Sequence, residues 1–233
     1  MNDDIEKIEA HFGRVASLIG ERSRAIMLWN LLDGRAYTAT ELAIRAGISA
    51  QAASNHLSKL VNAKLLAADP QGRHKYYRFT SNRIAGIIES IAGLLPMNNN
   101  AEQPGLVSHT GIRYARTCYD HLAGKVGVAI TNSLLQKKIM AVDKDQYRVT
   151  APGIKWFETI GINIDAVKQM KRKFAYPCLD WSERKQHLGG ALGATLLDTI
   201  AKKDWIRKTK QTREIIITGT GRRELGSRLG LEL

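Results

Sequence analysis

The stretch from residue 38 to residue 78 constrains the fold of this chain most, because it combines two short helices with a basic hairpin. Thr38 and Glu41 have the spacing of a capping box, which satisfies free N–H groups at the start of a helix. Gly47 is suited to end that helix because glycine adopts the left-handed conformation without strain. Ser49 is a favoured N-cap, so a second helix is predicted to follow it directly.

The second helix, residues 50–62, is predicted to have one apolar and one polar face. At about 100° per residue, the side chains that fall on the apolar face are Ala53, Leu57, Leu60 and Val61. The residues of this helix predicted to contact DNA are Gln51, Ser54, Asn55, Ser58, Lys59 and Asn62. In the major groove, Asn and Gln can pair bidentately with adenine, and Lys can contact guanine or a phosphate. A merely solvated helix face would have a similar composition.

A basic hairpin is predicted directly after the second helix. Asp69, Pro70 and Gly72 mark a turn between two strands that leads on to Phe79. The hairpin residues predicted to contact DNA are Arg73, His74, Lys75 and Arg78. A basic hairpin beside a polar-faced helix predicts a winged helix-turn-helix, whose wing contacts phosphates or the minor groove.

These residues resemble the ArsR/SmtB family of bacterial winged-helix regulators. The resemblance is carried by Ser54, His56-Leu57, Leu60 and the segment from Gly72-Arg73 to Tyr76-Tyr77-Arg78. It covers roughly the first 95 residues and lies in the order of elements more than in any single residue. It implies DNA binding by a homodimer in which the first and last helices of the winged domain pair two chains.

The metal ligands of the resembled family are absent from the expected positions. Metal sensors of that family take thiolates from the first helix of the helix-turn-helix, or His and acidic ligands from the closing helix. Residues 39–47 contain no Cys, and residues 80–95 offer only Glu89. We therefore do not infer metal sensing from the resemblance, and the identity of the effector stays open.

The composition favours a polyanionic partner and excludes some protein classes. The formal net charge is +13 and the pI is about 9.9, which suits double-stranded DNA without naming it. Two cysteines are too few for a disulfide framework, so a cytoplasmic protein is predicted. We predict no membrane association, because no leader opens the chain and no apolar run approaches the roughly 18 residues of a membrane span.

Amphipathic helices are predicted on both sides of the helix-turn-helix. One carries Ile5, Ile8, Phe12, Val15 and Leu18/Ile19 at helical spacing, and a second runs from Ser23 to Asp33 and ends at Gly34. After the hairpin, Thr80 is predicted to cap a helix over residues 84–95, which Pro96 ends. Their apolar stripes fit either dimerisation or packing within one chain.

An Asn- and Pro-containing stretch after Pro96 indicates the main domain boundary. We predict a DNA-binding and dimerisation domain over residues 1–96, a linker over 97–108 and a C-terminal domain over 109–233. The fold class is mainly α with small β-hairpins (α+β). The C-terminal domain is predicted to consist of two winged-helix-like repeats, at about residues 109–162 and 163–233.

The repeat rests on segments that follow the same order: helix, hairpin, Thr-x-x-Gly, helix. The Thr-x-x-Gly motifs are Thr150 to Gly153 and Thr218 to Gly221, and residues 57–88 follow the scheme more weakly. Chance recurrence of helix and hairpin units is the alternative. Upstream, each copy holds a Cys, an Asp two residues later and a His that opens His-Leu-x-Gly-x-x-Gly. These residues are Cys118, Asp120 and His121 in one copy and Cys178, Asp180 and His187 in the other.

Longer relatives of the resembled regulators carry a C-terminal extension of this kind, including a run like Cys178 to Arg184, but its role is not implied by the resemblance. Three interpretations stay open. Cys118, His121, Cys178 and His187 could form a Cys2His2 zinc site, although the usual C-x-x-C pair is missing. Basic neighbours, among them Arg116 and Arg184, could instead favour a reactive thiolate. Buried Cys could also simply pack as a small apolar residue.

The candidate effector or thiol site therefore comprises Cys118, His121, Cys178, Asp180, Trp181, Arg184 and His187. We predict no catalytic residue, metal or resident cofactor, with zinc left open as above. Residues 1–96 hold twelve Lys and Arg against nine Asp and Glu, so most of the positive charge lies beyond them. The basic segment 207–213 resembles another wing and fits either auxiliary phosphate contact or solvation.

Together these features predict a dimeric, cytoplasmic transcriptional repressor that binds a palindromic DNA operator through residues 50–62 and 71–78. A small effector of unknown identity would bind the C-terminal domain and release the DNA. One alternative is an enzyme or small-molecule-binding protein that uses the Cys, Asp and His pairs. The absence of a nucleotide-binding loop, G-x-S-x-G and H-E-x-x-H weighs against it. Another is a nucleoid-type protein that binds DNA without sequence preference.

Overall fold

A computed structural model describes residues 2–93, 110–209 and 212–233. The chain divides into two compact units, Met1–Ile88 and Glu89–Leu233. The dividing point lies inside a helix, Asn82–Gly93, so that helix contributes residues to both units. The predicted linker, residues 97–108, and the predicted helix end at Pro96 lie outside the described residues. In the part of the chain that is described, no helix combines the length and the apolar character needed to cross a bilayer.

The first unit has the predicted order of elements. It comprises α1 (Asn2–Gly20), α2 (Arg22–Asn30), a 3-10 turn (Leu31–Asp33), β1 (Tyr37–Thr38), α3 (Ala39–Ala46), α4 (Ala50–Asn62), β2 (Leu66–Gln71), β3 (His74–Phe79) and the start of α5 (Asn82–Gly93). The strands form one antiparallel sheet in the order β1-β3-β2. Helices α2, α3 and α4 enclose the core of this unit, which includes Met27, Leu42, Leu57 and Leu60.

Local hydrogen bonds fix the two helices of the helix-turn-helix. The Thr38 hydroxyl accepts from the Glu41 N–H, and the Glu41 carboxylate accepts from the Thr38 N–H at 2.7 Å. Gly47 ends α3 in the left-handed conformation at φ 66°. Ser49 caps α4 by accepting from the Ala52 N–H at 3.2 Å. The predicted bounds of both helices are therefore confirmed.

Two details of the hairpin differ from the prediction. The turn consists of Gly72 and Arg73, with Gly72 at φ 58°, whereas Pro70 lies inside β2. Proline is tolerated there because β2 is an edge strand of the sheet. Thr80 does not cap α5; its hydroxyl donates to the Lys64 carbonyl at 2.8 Å, and Ser81 accepts from the backbone N–H at the helix start.

The second unit consists of two copies of one element order, joined by the short helix α8 (Ile164–Lys168). The first copy comprises β4 (Arg116–Cys118), β5 (His121–Ala123), α6 (Gly124–Gln136), β6 (Met140–Asp143), β7 (Gln146–Val149) and α7 (Ala151–Thr159). The second comprises β8 (Tyr176–Leu179), β9 (Gln186–Gly189), α9 (Gly190–Lys202), β10 (Ile206–Lys208), β11 (Ile215–Ile217) and α10 (Gly219–Leu229). The predicted helix, hairpin, helix repeat is confirmed, and each copy opens with an additional hairpin.

The Thr-x-x-Gly motif joins each second hairpin to the helix that follows. Thr150 accepts from the Gly153 N–H at 3.0 Å, and its hydroxyl donates to the carbonyl of Lys138 at 2.6 Å. Thr218 accepts from the Gly221 N–H at 2.9 Å and donates to a carbonyl at the corresponding position of its own copy. One side chain thus caps the helix and ties it to the preceding turn, which explains why the motif recurs.

The opening hairpin of each copy packs on the first helix of the other copy. Strand β5 of the first copy packs on α9 of the second, and β9 of the second packs on α6 of the first. A single core containing Leu134, Phe157, Leu197 and Trp205 runs through both copies. This reciprocal packing places the opening hairpins of the two copies next to each other.

Candidate functional site

The polar face of α4 is exposed, as the helical periodicity predicts. Ala53, Leu57 and Leu60 are fully buried in the core of the first unit. The predicted DNA-contacting residues Gln51, Asn55, Ser58, Lys59 and Asn62 are exposed, and Ser54 is half-buried. The amides of Gln51 and Asn55 are neighbours, with 3.5 Å between Nε2 and Oδ1. The first two turns of α4 therefore present adjacent donors and acceptors to the outside.

The wing presents cations at its tip and an ion pair further along. Arg73, His74 and Lys75 are exposed at or beside the turn. Arg78 is also exposed, but its Nε donates to Asp69 Oδ2 at 2.6 Å. Because this carboxylate offsets its charge, Arg78 is less available for a phosphate than the residues at the tip.

An interaction that the sequence did not indicate positions α4 through His56. The buried guanidinium of Arg24 lies 3.0 Å from His56 Nδ1, and the Glu21 carboxylate lies 3.4 Å from the same atom. Glu21 also caps α2, and the hydrogen bond from the backbone N–H of Ser23 is the main cause that lowers the pKa of its carboxyl to about 2. The start of α2 is thereby tied to the inner side of α4.

The Cys and His residues of the two repeats come together in the second unit. Within each opening hairpin the Cys lies directly opposite the His, as Cys118 with His121 and Cys178 with His187. The two sulfurs and one nitrogen from each ring all lie within 4.8 Å of one another. The Nε2 atoms of His121 and His187 are 3.1 Å apart. We call these four residues the Cys2His2 cluster.

A carboxylate stands behind each histidine of the cluster. Asp120 Oδ1 lies 3.3 Å from His121 Nδ1, and Asp180 Oδ2 lies 3.4 Å from His187 Nδ1. Asp120 is in turn paired with Arg172. Asp180 accepts from Arg116 Nη2 at 3.0 Å and from the Gly124 N–H at 2.7 Å. The predicted site residue Asp180 therefore lies beside a histidine of the cluster and is not one of the four ligands.

Trp181, another predicted site residue, belongs to a buried charged network. Its indole N–H donates to Glu89 at 2.7 Å, and its ring lies 4.6 Å from the guanidinium carbon of Arg116. Glu89 also accepts from Arg213 at 2.9 Å. The sequence did not indicate that Glu89 and Arg213 are partners. The available signal was a single carboxylate in the otherwise apolar stripe of α5.

The environments of the two thiols differ. The hydrogen bond between Cys118 and Cys178, together with burial, raises the pKa of Cys118 to about 12. The same interaction lowers the pKa of Cys178, which is half-buried. Arg184, predicted to favour thiolate formation, lies in the turn between β8 and β9 at φ 55°. Of the two cysteines, Cys178 has the more suitable environment for a reactive thiol.

No family model matches the chain. Among solved structures, it is similar to the homodimeric winged helix-turn-helix DNA-binding domain of Mb0332 from Mycobacterium bovis, with 22% identity over 39% of this chain and 83% of that domain and a TM-score of 0.36. It is also similar to the transcriptional repressor BigR from Xylella fastidiosa, with 17% identity over 42% of this chain and 99% of that one and a TM-score of 0.36.

The similarity to a curated protein is far more extensive. The chain is 39% identical over 212 residues to YdfF, an uncharacterised HTH-type transcriptional regulator of Bacillus subtilis (strain 168). The match covers 91% of this chain and 94% of YdfF, so it includes the repeats as well as the helix-turn-helix. The chain therefore belongs to the family of HTH-type transcriptional regulators.

Proposed function

We propose that the protein is a dimeric, cytoplasmic repressor that binds a palindromic operator through α4 and the wing, and that an effector bound by the second unit releases the DNA. The observation that carries this proposal is the outward face of α4, which offers amides, hydroxyls and one ammonium group. Helix α4 itself contains no carboxylate, so it would meet no repulsion from its own side chains beside the phosphates.

The arrangement of Gln51 and Asn55 supports insertion into the major groove. Recognition helices contact base edges mainly through residues near their N-terminus, which is where these two amides lie. Asn and Gln match the donor and acceptor pair of adenine. Arg73 and Lys75 at the tip of the wing would add phosphate contacts, which fix the position of the protein on DNA without specifying sequence.

Replacing Asn55 with alanine is expected to reduce sequence discrimination by about 1–3 kcal/mol, because a bidentate base contact is lost. The measurement is the ratio of dissociation constants for the chain's own upstream DNA and a scrambled duplex. Lys75→Ala is the matched control, since loss of a phosphate contact weakens both complexes alike and lowers the salt dependence.

Unchanged discrimination by Asn55→Ala together with Gln51→Ala would show that α4 does not contact the bases. Footprinting on the same DNA separates the repressor from the two alternatives. A nucleoid-type protein would protect DNA without sequence preference, and an enzyme would give no footprint at all.

A dimer is supported by apolar side chains that α1 leaves exposed. Ile5, Ile8 and Phe12 are 50%, 68% and 72% exposed, and Ile87 on α5 is 50% exposed. Ile5, Ile8 and Phe12 lie at helical spacing on α1, which suits a helix-to-helix interface between two chains. Two copies of α4 in one dimer would then fit two half-sites one helical turn apart.

Phe12→Glu with Ile8→Glu is expected to convert the dimer to a monomer, because the interface would have to bury two carboxylates. Sedimentation velocity measures the change as at least about a tenfold rise in the dimer dissociation constant. Val142→Glu is the control, since Val142 is 62% exposed in the second unit and should leave the assembly state unaltered. A dimer that persists in the double variant would place the interface elsewhere.

A further inference from the structure

We propose that the Cys2His2 cluster binds one Zn²⁺ ion in a tetrahedral site to which each repeat contributes one thiolate and one imidazole. The proposal concerns the second unit and is independent of how the first unit contacts DNA.

The ligand atoms lie close to the spacing that tetrahedral zinc requires. With Zn–N bonds of about 2.0–2.1 Å and Zn–S bonds of about 2.3 Å, the two nitrogens would lie about 3.3–3.4 Å apart and the two sulfurs about 3.8 Å apart. The Nε2 atoms of His121 and His187 are 3.1 Å apart, and all four ligand atoms lie within 4.8 Å of one another. The two nitrogens would have to separate by a few tenths of an ångström, and the most distant pair of ligand atoms would have to approach by up to about 1 Å, to reach ligating distances.

The outer carboxylates stand where those of metal-bound histidines usually stand. A histidine that binds metal through Nε2 usually donates its Nδ1–H to a carboxylate, which fixes the ring orientation. Asp120 and Asp180 stand at the Nδ1 sides of His121 and His187, at 3.3 and 3.4 Å. Both carboxylates are held by arginines, so their positions do not depend on the histidines.

The contact between the rings points to a cation at this position. If both histidines are neutral, a hydrogen bond between them requires one of the two Nε2 atoms to carry a proton. The Nδ1 atom of that same ring then has no proton, and its lone pair is repelled by the neighbouring carboxylate. His187 Nδ1 is indeed buried without a hydrogen-bond partner among the described residues. A cation between the two Nε2 atoms removes the conflict, because both Nδ1 atoms then carry protons.

The two cysteines identify that cation as a metal ion rather than an added proton. A proton shared by the rings would leave unexplained why a thiol from each repeat lies beside the same two nitrogens. Two sulfurs and two nitrogens suit Zn²⁺, whereas Mg²⁺ and Ca²⁺ prefer oxygen ligands. Four protein ligands fill a tetrahedral shell and leave no open position, which fits a structural or sensory ion and not a catalytic one.

Burial of the cluster is compatible with both retention and entry of the ion. His121 and His187 are 2% and 0% exposed, and Cys118 is 9% exposed. Cys178 is half-buried and is the member of the cluster most accessible to solvent. An ion would enter beside Cys178 and then be enclosed by residues of both repeats, which would join the two copies more firmly.

The test uses reduced full-length protein that is stripped by a chelator and titrated with Co²⁺ and then with Zn²⁺. The expected result is one Co²⁺ per chain, with the strong visible bands of tetrahedral cobalt and a thiolate charge-transfer band, and displacement by one equivalent of Zn²⁺. Cys178→Ser should remove part of the charge-transfer band and weaken binding by more than about 100-fold, since loss of an outer hydrogen-bond partner alone costs about 10–100-fold.

Two further variants test the proposal if Cys178→Ser fails to fold and control for an unrelated histidine. Asp120→Asn retains all four ligands and should weaken Co²⁺ binding by about 10–100-fold with an unchanged spectrum, even where a cysteine variant fails to fold. His11→Gln, on the exposed surface of α1, should bind Co²⁺ like the unaltered chain. The proposal is overturned if the unaltered chain takes up no stoichiometric Co²⁺, or if uptake is the same in folded Cys178→Ser. DNA is absent from the assay, so either result leaves the proposed DNA-binding function untouched.

Discussion

Replacing Arg116 with methionine is expected to lower the free energy of unfolding of the second unit by about 3–5 kcal/mol. The Arg116 side chain is fully buried, and its guanidinium donates to Asp180 at 3.0 Å and to Glu89 at 3.3 Å. Methionine fills much of the same volume but leaves both carboxylates without this partner. Breaking a buried ion pair costs far more than the intact pair contributes, because the remaining charge stays desolvated.

The charge balance of the network explains why this position is so sensitive. Two arginines, Arg116 and Arg213, and two carboxylates, Glu89 and Asp180, are all buried, each at most 8% exposed. Burial by itself would raise the pKa of Glu89, but the hydrogen bonds and charge of Arg213 outweigh it and the net shift is downward. With Arg116 removed, Asp180 loses its ion pair with a guanidinium, while Glu89 keeps its ion pair with Arg213.

The measurement is urea unfolding in the presence of a chelator, so that metal binding does not contribute. Arg207→Met is the matched control: it removes an arginine from an exposed ion pair with Asp204, and the transition midpoint should not change. Adding Asp180→Asn to Arg116→Met should restore part of the loss, because the uncompensated charge is then removed. A loss below about 1 kcal/mol in Arg116→Met would contradict the assigned role of the network.

The helix-turn-helix was predictable because its signals are local. Thr38 with Glu41, Gly47 and Ser49 satisfy the ends of α3 and α4 within a few residues of themselves, and the structure reproduces each one. The errors in this unit are also local. Pro70 and Gly72 both favour turns, and only the pairing of β2 with β3 determines that Gly72 takes the turn while Pro70 stays at the sheet edge.

The Cys2His2 cluster was only partly predictable. The repeat places one Cys and one His in each copy, but their meeting depends on the crossed packing of β5 on α9 and β9 on α6. The spacing of the Cys and His residues within one copy does not indicate that reciprocal packing of hairpins on helices. The partnership of Glu89 with Arg213 spans 124 residues and is equally invisible to local patterns.

Glu89 is the first residue of the second unit. Composition places the boundary in the segment after Pro96, whereas the packing divides the chain between Ile88 and Glu89, inside α5. The same helix that closes the first unit thus provides a buried partner for Arg116 and Arg213 in the second. The chain therefore passes from the first unit to the second within α5.

Gly221→Ala is expected to destabilise the second unit by about 3 kcal/mol or more, because there is no space for the added methyl group. A Cβ at this position would lie 1.9 Å from the backbone carbonyl oxygen of Trp205, which cannot move without disrupting β10. The close approach follows from the Thr-x-x-Gly motif, in which Thr218 draws the start of α10 onto the preceding hairpin. Gly153 is in the same position in the first copy, also at 1.9 Å from a carbonyl oxygen.

Gly226→Ala is the matched control for this prediction, since it makes the same substitution in the same helix. A Cβ there would lie 3.4 Å from the Leu231 carbonyl oxygen, which is an ordinary contact distance. Alanine is favoured over glycine in a helix interior by up to about 1 kcal/mol, so this variant should be neutral or slightly stabilised. Calorimetric unfolding of the two variants separates the effects. Equal melting temperatures would mean that the start of α10 does not need the close contact and that the motif serves only as a helix cap.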